Sequence, residues 1–462
     1  MSSTAALRPP LPATGTKSWP DERGRRLRGC LRQLQHDPLG LYQGAWHKHG
    51  DYVRLRALPG YYFYMLAHPA AIEHVMHTNQ KNYRKPDVFY SSVSLLAGNG
   101  ILTSEGTFWR KQRRLMQPAF LKHSVARLSS HMVAATESLI HDWQQADDNR
   151  SFDVVPEMMG LALRIASTSL FSTDISGEAN AIGHAFRVAF EYISLKMNGR
   201  MWAPLWMPTR TNREFRQSKA LLDKVVLDLI ERRRKESSQD DLLDVFLSAQ
   251  DEDTGERMTD QQLKDEVITL LTAGHETTGA ALSWAWYLLA ENQDIQRELA
   301  EQVRSHLAGR PPTVDDLPAM PLATAVFEET MRLYPPAWGL PRESIEADEI
   351  NGYPVPAKAM LVVLQCLVHR HPDFWREPDT FDPTRFLPPH NTGRPKFAFF
   401  PFGGGPRVCI GNHFAMIEGP LVLAALAQRF HFTLVPGQSI EPDPTFALRP
   451  KNGVRVVVQK RP

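Results

Sequence analysis

Cysteine is scarce. Cys30, Cys366 and Cys409 are the only three in 462 residues. The number is odd and no pair has C-x-x-C spacing, which argues against a disulfide framework and a cysteine-built zinc site. Net charge is also small, at +2, so no whole-protein field favours nucleic acid. The first 26 residues lack the apolar core of a signal peptide. The longest apolar run, at 267–290, is broken at its centre by His275, Glu276, Thr277 and Thr278. Polar groups there argue against a bilayer span and for a buried core helix. No fixed-period repeat is present. A soluble, cytoplasmic, monomeric protein is expected, without a transmembrane anchor.

Linkers are missing too. The charged stretch 231–241 and the Pro-rich stretch 307–318 are short enough to be loops. The expected organisation is a tail and first helix at 1–40, then a single domain at 41–462.

Helical patterning is plentiful. Apolar residues recur at helical spacing in 124–143, 158–171, 185–196, 218–235 and 262–290. The segment 321–335 reads as a helix stopped by Pro335 and Pro336. Two alternating runs around Pro59 and Gly60 predict a hairpin. Strands are expected at 341–366, with Cys366 as inert packing in a buried strand, and again near the C-terminus. The predicted class is mainly α with a small β-sheet region.

One stretch stands apart: FFPFGGGPRVCIGNHFA, residues 399–415. Three glycines precede a cation, Arg407, and then a thiol, Cys409, just before a helical pattern. A phosphate loop needs G-x-x-x-x-G-K-[ST], and no Lys-Ser/Thr follows Gly411. A plain turn leaves Arg407 and Cys409 without a purpose. A thiolate ligand to haem iron accounts for all of it. Backbone N–H groups near a helix start favour the thiolate. Glycine admits close approach to a flat ring. Phe402 is placed to shield the sulfur, and Arg407 to grip a propionate.

Phe402-x-x-Gly405-x-Arg407-x-Cys409-x-Gly411 resembles the haem-binding signature of the cytochrome P450 superfamily. Further segments resemble the family in the same order, from about residue 50 onward. Ala273, Gly274, Glu276 and Thr277 match its oxygen-binding helix. The Thr277 hydroxyl is expected to bond the Ala273 carbonyl and loosen the helix locally. Glu329 and Arg332, with Arg385, match a buried structural network. Trp109 and Arg113 match a propionate contact, and Arg342 a second one.

The resemblance implies a triangular P450 fold and haem b, with Cys409 as the metal ligand. It also implies O2 as co-substrate and a monooxygenase that hydroxylates or epoxidises a lipophilic molecule. Thr277 and Glu276 are the implied catalytic pair, serving proton delivery. A fatty acid, a terpenoid and a steroid-like ring system all stay open as substrate. Phe89, Leu95, Ala337, Leu340 and Phe446 are the expected substrate contacts. No flavin-binding region follows the haem segment, so electrons are expected from a separate ferredoxin or flavodoxin with its reductase. Arg110, Lys111 and Arg114 offer a docking patch or an ordinary solvated face. Met201, Trp202, Leu205 and Trp206 read as lid packing, with contact to a membrane surface as the second reading. An oxygen-independent haem-thiolate enzyme is the alternative function, and a haem sensor a third. The Glu276–Thr277 pair argues against the former.

Overall fold

A computed structural model describes residues 17–24, 29–174, 179–235, 238, 239, 241–250, 255 and 257–461. The expected tail at 1–16 and part of the charged stretch 231–241 lie outside these residues. The expected division at residue 40 falls inside a helix, Pro38–His49.

The long helix Asp260–Glu291 is the axis of the fold. Thr259 and Gln262 cap its start reciprocally. The Gln262 N–H donates to Thr259 Oγ1 at 3.2 Å, and the Thr259 N–H donates to Gln262 Oε1 at 2.7 Å. These bonds satisfy donors that a helix start leaves open. Apolar residues surround this helix on most sides because it is surrounded by protein. Helices Val154–Phe171, Pro321–Leu333 and Asn412–Arg429 pack on it. Among the described residues, Val154–Phe171 is the one helix long and apolar enough to cross a membrane, and it is mostly buried against its neighbours.

The expected helices form as Lys122–Gln145, Val154–Phe171, Ala179–Met197 and Arg210–Lys235. Another, Gln293–Leu307, is not among the expected elements. Its apolar residues Leu299, Val303 and Leu307 nevertheless recur every four positions along its buried side.

The hairpin pairs Tyr52–Leu58 with Tyr61–Leu66. It extends into a six-stranded sheet in the spatial order Asp21–Glu22, Tyr52–Leu58, Tyr61–Leu66, Met360–Val363, Leu340–Ser344, Tyr83–Arg84. The sheet has its own core, which includes Leu55, Met65, Leu361 and Val363. Strands Phe430–Leu434, Arg455–Lys460 and Arg150–Asp153 form a second sheet. Cys366 is not in a strand. Met360–Val363 ends before it, and Cys366 lies in the short helix Gln365–Val368. Burial pushes its thiol up to about 12, so it stays protonated.

Candidate active site

Between the central helix and the glycine loop lies a cavity of about 340 Å³. That is within the range of small-molecule sites. Of the three cysteines, Cys409 alone lines it. Two short-range devices place it. The Cys409 N–H donates to the Phe402 carbonyl at 2.9 Å, closing the loop on itself. Helix Asn412–Arg429 begins three residues later.

The loop's glycines divide by purpose. Gly403 and Gly411 line the cavity. Gly405 does not, contrary to its expected contact with the cofactor. It has φ +64°, and a Cβ there would overlap the Met76 carbonyl oxygen. A Cβ on Gly404 would overlap the Phe397 ring. Gly404 and Gly405 are therefore required by packing against protein. Phe402 lines the cavity and also packs on the main core.

The sulfur's surroundings pull both ways. Burial raises the Cys409 thiol, whereas the Gly411 N–H and the Arg113 guanidinium lower it. Burial wins in the protein alone, so the helix start does not by itself make a thiolate. A bound metal cation would deprotonate the thiol outright.

Among the described residues, four cations line the cavity, Lys85, Arg113, Arg342 and Arg407, and no carboxylate does. Arg113 Nη1 donates to the Val408 carbonyl at 2.8 Å. The Arg407 guanidinium carbon lies over the Trp109 ring, 3.6 Å from its centre. It donates to Glu105 Oε2 at 2.6 Å and to the Ser104 carbonyl at 3.1 Å. Arg342 is buried and donates to the Pro341 carbonyl. Lys85 is the unexpected member. It donates to the carbonyls of Ser104 and Ile101 at 3.1 and 3.4 Å. Burial, with Arg407 nearby, brings its ammonium down to about 7. It follows strand Tyr83–Arg84 directly, and nothing in the local sequence marks it.

The central helix supplies the opposite wall. Ala273, Gly274, Thr277 and Thr278 line the cavity. Thr277 Oγ1 donates to the Ala273 carbonyl at 2.7 Å. The helix stays α-helical through this turn, so the expected loosening is absent. Glu276 is buried and does not line the cavity. Its Oε1 is 3.9 Å from Arg449 Nη1. Burial outweighs that attraction and raises its carboxyl to about 7. His275 faces away, 5.3 Å from the Phe186 ring, and burial lowers it to about 4. Glu418, on the helix after Cys409, is a further buried acid; burial raises its carboxyl well above the ordinary value, with the Thr278 hydroxyl opposing.

Ala337, Leu340 and Phe446, expected as substrate contacts, line the cavity. Phe89 and Leu95 do not. Phe89 turns toward Phe63 of the hairpin, at 6.3 Å between rings, and Leu95 packs on the main core. Helix Asp87–Ala97 presents Tyr90 to the cavity instead. Leu102, Leu270, Thr269 and Phe327 are further lining residues that the sequence reading missed.

Beneath the site, Glu329 and Arg332 form a fully buried two-point ion pair at 2.6 and 2.7 Å. Arg385 Nε approaches Glu329 Oε1 at 3.5 Å. Arg332 also donates to the carbonyls of His369, Pro378 and Thr380. The pair thus ties the helix to the segment that leads into the glycine loop.

A family model for cytochrome P450 matches residues 20–457. The chain is a cytochrome P450. This P450 is 35% identical over 428 residues to a cyclooctatin synthase of Streptomyces melanosporofaciens, covering 92% of each chain. It is 34% identical to a pentalenene oxygenase of Streptomyces avermitilis, covering 90% of this chain and 91% of the relative. It is 32% identical to a cyclooctat-9-en-7-ol 5-monooxygenase of S. melanosporofaciens, covering 90% and 89%. Its fold matches a crystal structure of the cytochrome P450DA heme domain with TM-score 0.88 at 24% identity, over 96% of this chain and 98% of that one.

The cofactor is haem b with a cysteine thiolate ligand, and the enzyme is a monooxygenase that uses O2. The residues present fit that group. The cavity holds a single cysteine sulfur, small residues on the central helix, and four cations, of which Arg407 is paired with Glu105 outside the lining.

Proposed function

We propose that this P450 hydroxylates or epoxidises a cyclic terpenoid held by shape and apolar contact. One observation carries the reading. The cations that line the cavity include Lys85, Arg342 and Arg407, which lie close enough to perturb one another. The remaining wall is apolar except for the hydroxyls of Thr269, Thr277, Thr278 and Tyr90 and the Trp109 ring N–H. A fatty acid requires a cation for its carboxylate, and the cations are matched to the haem propionates. Three relatives with terpenoid names point the same way.

In this reading Cys409 would ligate the iron, and Trp109, Arg113, Arg342, Arg407 and Lys85 would hold the propionates through charge-assisted hydrogen bonds. Haem, when bound, would supply the redox chemistry that inserts one atom of O2 into substrate. Ala273 and Gly274 keep the central-helix wall of the cavity small. Thr277 holds a proton at Oγ1, and Glu276, with a carboxyl near 7, takes up and releases one near neutral pH. Leu340, Ala337 and Phe446 exclude water and set which face of the substrate meets the ring. Bacterial members generally use ferredoxin and reductase partners and act on lipophilic substrates. Exposed Arg110 and Arg114, with half-buried Lys111, form the proposed docking patch for an acidic donor.

Optical titration tests the substrate class. Cyclic terpene hydrocarbons and their mono-alcohols are expected to displace the Soret band toward shorter wavelength at micromolar concentration. A comparable shift with fatty acids and none with terpenes would overturn the reading. Thr277→Ala is expected to leave these shifts in place while separating NADPH consumption from product by several-fold. Unchanged coupling would remove Thr277 from the proton path.

A further inference from the structure

The segment between helices Asp87–Ala97 and Gly106–Met116 passes along the cavity, and its Ile101 and Leu102 line the wall. The central helix holds this segment with two consecutive acids. The Asn99 N–H donates to Asp265 Oδ2, and the Ile101 N–H donates to Glu266 Oε2, both at 2.9 Å. Further along the helix, Thr269 Oγ1 donates to the Ala97 carbonyl at 3.3 Å. Alternate N–H groups of the segment thus meet neighbouring carboxyls of the helix.

Glycine permits this approach. Gly98 has φ +54°, and a Cβ there would overlap the Asp265 carboxyl. A Cβ on Gly100 would overlap Thr269 Oγ1.

A cation holds the same segment through its carbonyls. Lys85 Nζ donates to those of Ser104 and Ile101 at 3.1 and 3.4 Å. Ile101 is therefore held at both ends of its backbone, by Glu266 at the N–H and by Lys85 at the carbonyl. Within the segment, Thr103 Oγ1 donates to the Gly98 carbonyl at 2.8 Å and keeps the turn closed.

This hold is more elaborate than attachment requires. Glu266 is 1% exposed, and its Oε1 has no hydrogen-bond partner among the described residues. Burying a carboxyl is costly, and apolar packing would fasten a loop without that cost. What the polar bond adds is direction, because it fixes one peptide at one place. Burial raises the Glu266 carboxyl to about 7; the Ile101 N–H and Lys85 oppose the rise, and Asp265 adds to it. The two groups that hold Ile101 therefore also act on each other. Neither Asp265 nor Glu266 lines the cavity, so any influence on a bound ligand passes through the segment.

We propose that Glu266, supported by Asp265, is a specificity-determining positioning residue: by fixing the Ile101 peptide opposite Lys85, it sets how far Ile101 and Leu102 reach into the cavity and so which bulky ligands fit. The proposal concerns the wall, and it holds whether or not the substrate is a terpenoid.

Two probes of different size test it on the haem-loaded full chain. Imidazole and phenylimidazole both bind haem iron through a ring nitrogen, and only the second needs room along the wall. Glu266→Leu removes the acceptor. It is expected to change the ratio of the two affinities, read by optical titration, by about fivefold or more, with the reduced carbon monoxide band in place. Glu266→Gln keeps an acceptor oxygen and should restore the wild-type ratio. Amide exchange across 98–104 should quicken by about tenfold in Glu266→Leu and return to normal in Glu266→Gln. Unchanged exchange in Glu266→Leu would show that Glu266 does not hold the segment, and the proposal falls. Faster exchange with an unchanged affinity ratio would make the hold purely structural, and the proposal falls again. Should Glu266→Leu fail to load haem, Asp265→Ala decides: a change in the ratio of about threefold is expected, and none overturns the proposal.

Discussion

The two sides of the cavity solve different recognition problems. The side around Cys409 carries Lys85, Arg113, Arg342 and Arg407, with Trp109 beneath one guanidinium. The rest of the wall offers Ala273, Gly274, Ala337, Leu340 and Phe446, with threonine hydroxyls as its main polarity. The first side recognises one fixed ligand through directional, charge-assisted bonds. Such bonds demand particular residue types at particular places. The second recognises its ligand through area and shape, which many combinations of apolar residues satisfy. The strongest way to break the contrast is to remove the sulfur that anchors the first side. Cys409→Ala is expected to abolish the long-wavelength carbon monoxide band of the reduced protein and all turnover. Retention of that band would remove Cys409 as the ligand, since Cys30 and Cys366 lie elsewhere.

The same contrast explains what the sequence disclosed. Arg407, Cys409, Thr277 and Glu329 were legible because directional chemistry fixes their spacing along single elements. Ala337, Leu340 and Phe446 were found from the position of their segments, while Phe89 and Leu95 were misplaced. On helix Asp87–Ala97 a shift of one residue exchanges the hairpin-facing Phe89 for the cavity-facing Tyr90. Apolar patterning does not distinguish those two burial sites. The six-stranded sheet was only half legible. Its hairpin is local, but its other strands come from residues 21, 83, 340 and 360 onward. Pairing at such separation leaves no periodic trace.

Lys85 sharpens the comparison further. It is a buried cation whose bonded partners are backbone carbonyls. Burial, with Arg407 nearby, brings its ammonium down to about 7. Lys85→Met is expected to keep the fold and speed haem loss to apomyoglobin about tenfold, the equivalent of ~1.4 kcal/mol. A release rate equal to wild type would leave Lys85 a structural residue of the 101–104 turn.

An effect confined to high pH tests the apolar side. Glu276 is a carboxyl buried behind the threonine wall, raised by desolvation to about 7, with Arg449 opposing weakly at 3.9 Å. A carboxyl raised on folding favours the folded state while it is neutral. That advantage is complete below the ordinary value of 4.5 and is lost as pH rises through about 7. Glu276→Gln keeps a neutral group of the same size at every pH. The variant should therefore melt near the wild type at pH 4.5 and above it at pH 8. The gap at pH 8 should be at most about 3 kcal/mol, the limit set by the shift. A gap that does not change with pH would mean that Arg449 already holds Glu276 ionised. The apolar side would then contain a buried ion pair, and the difference between the two sides would be one of degree.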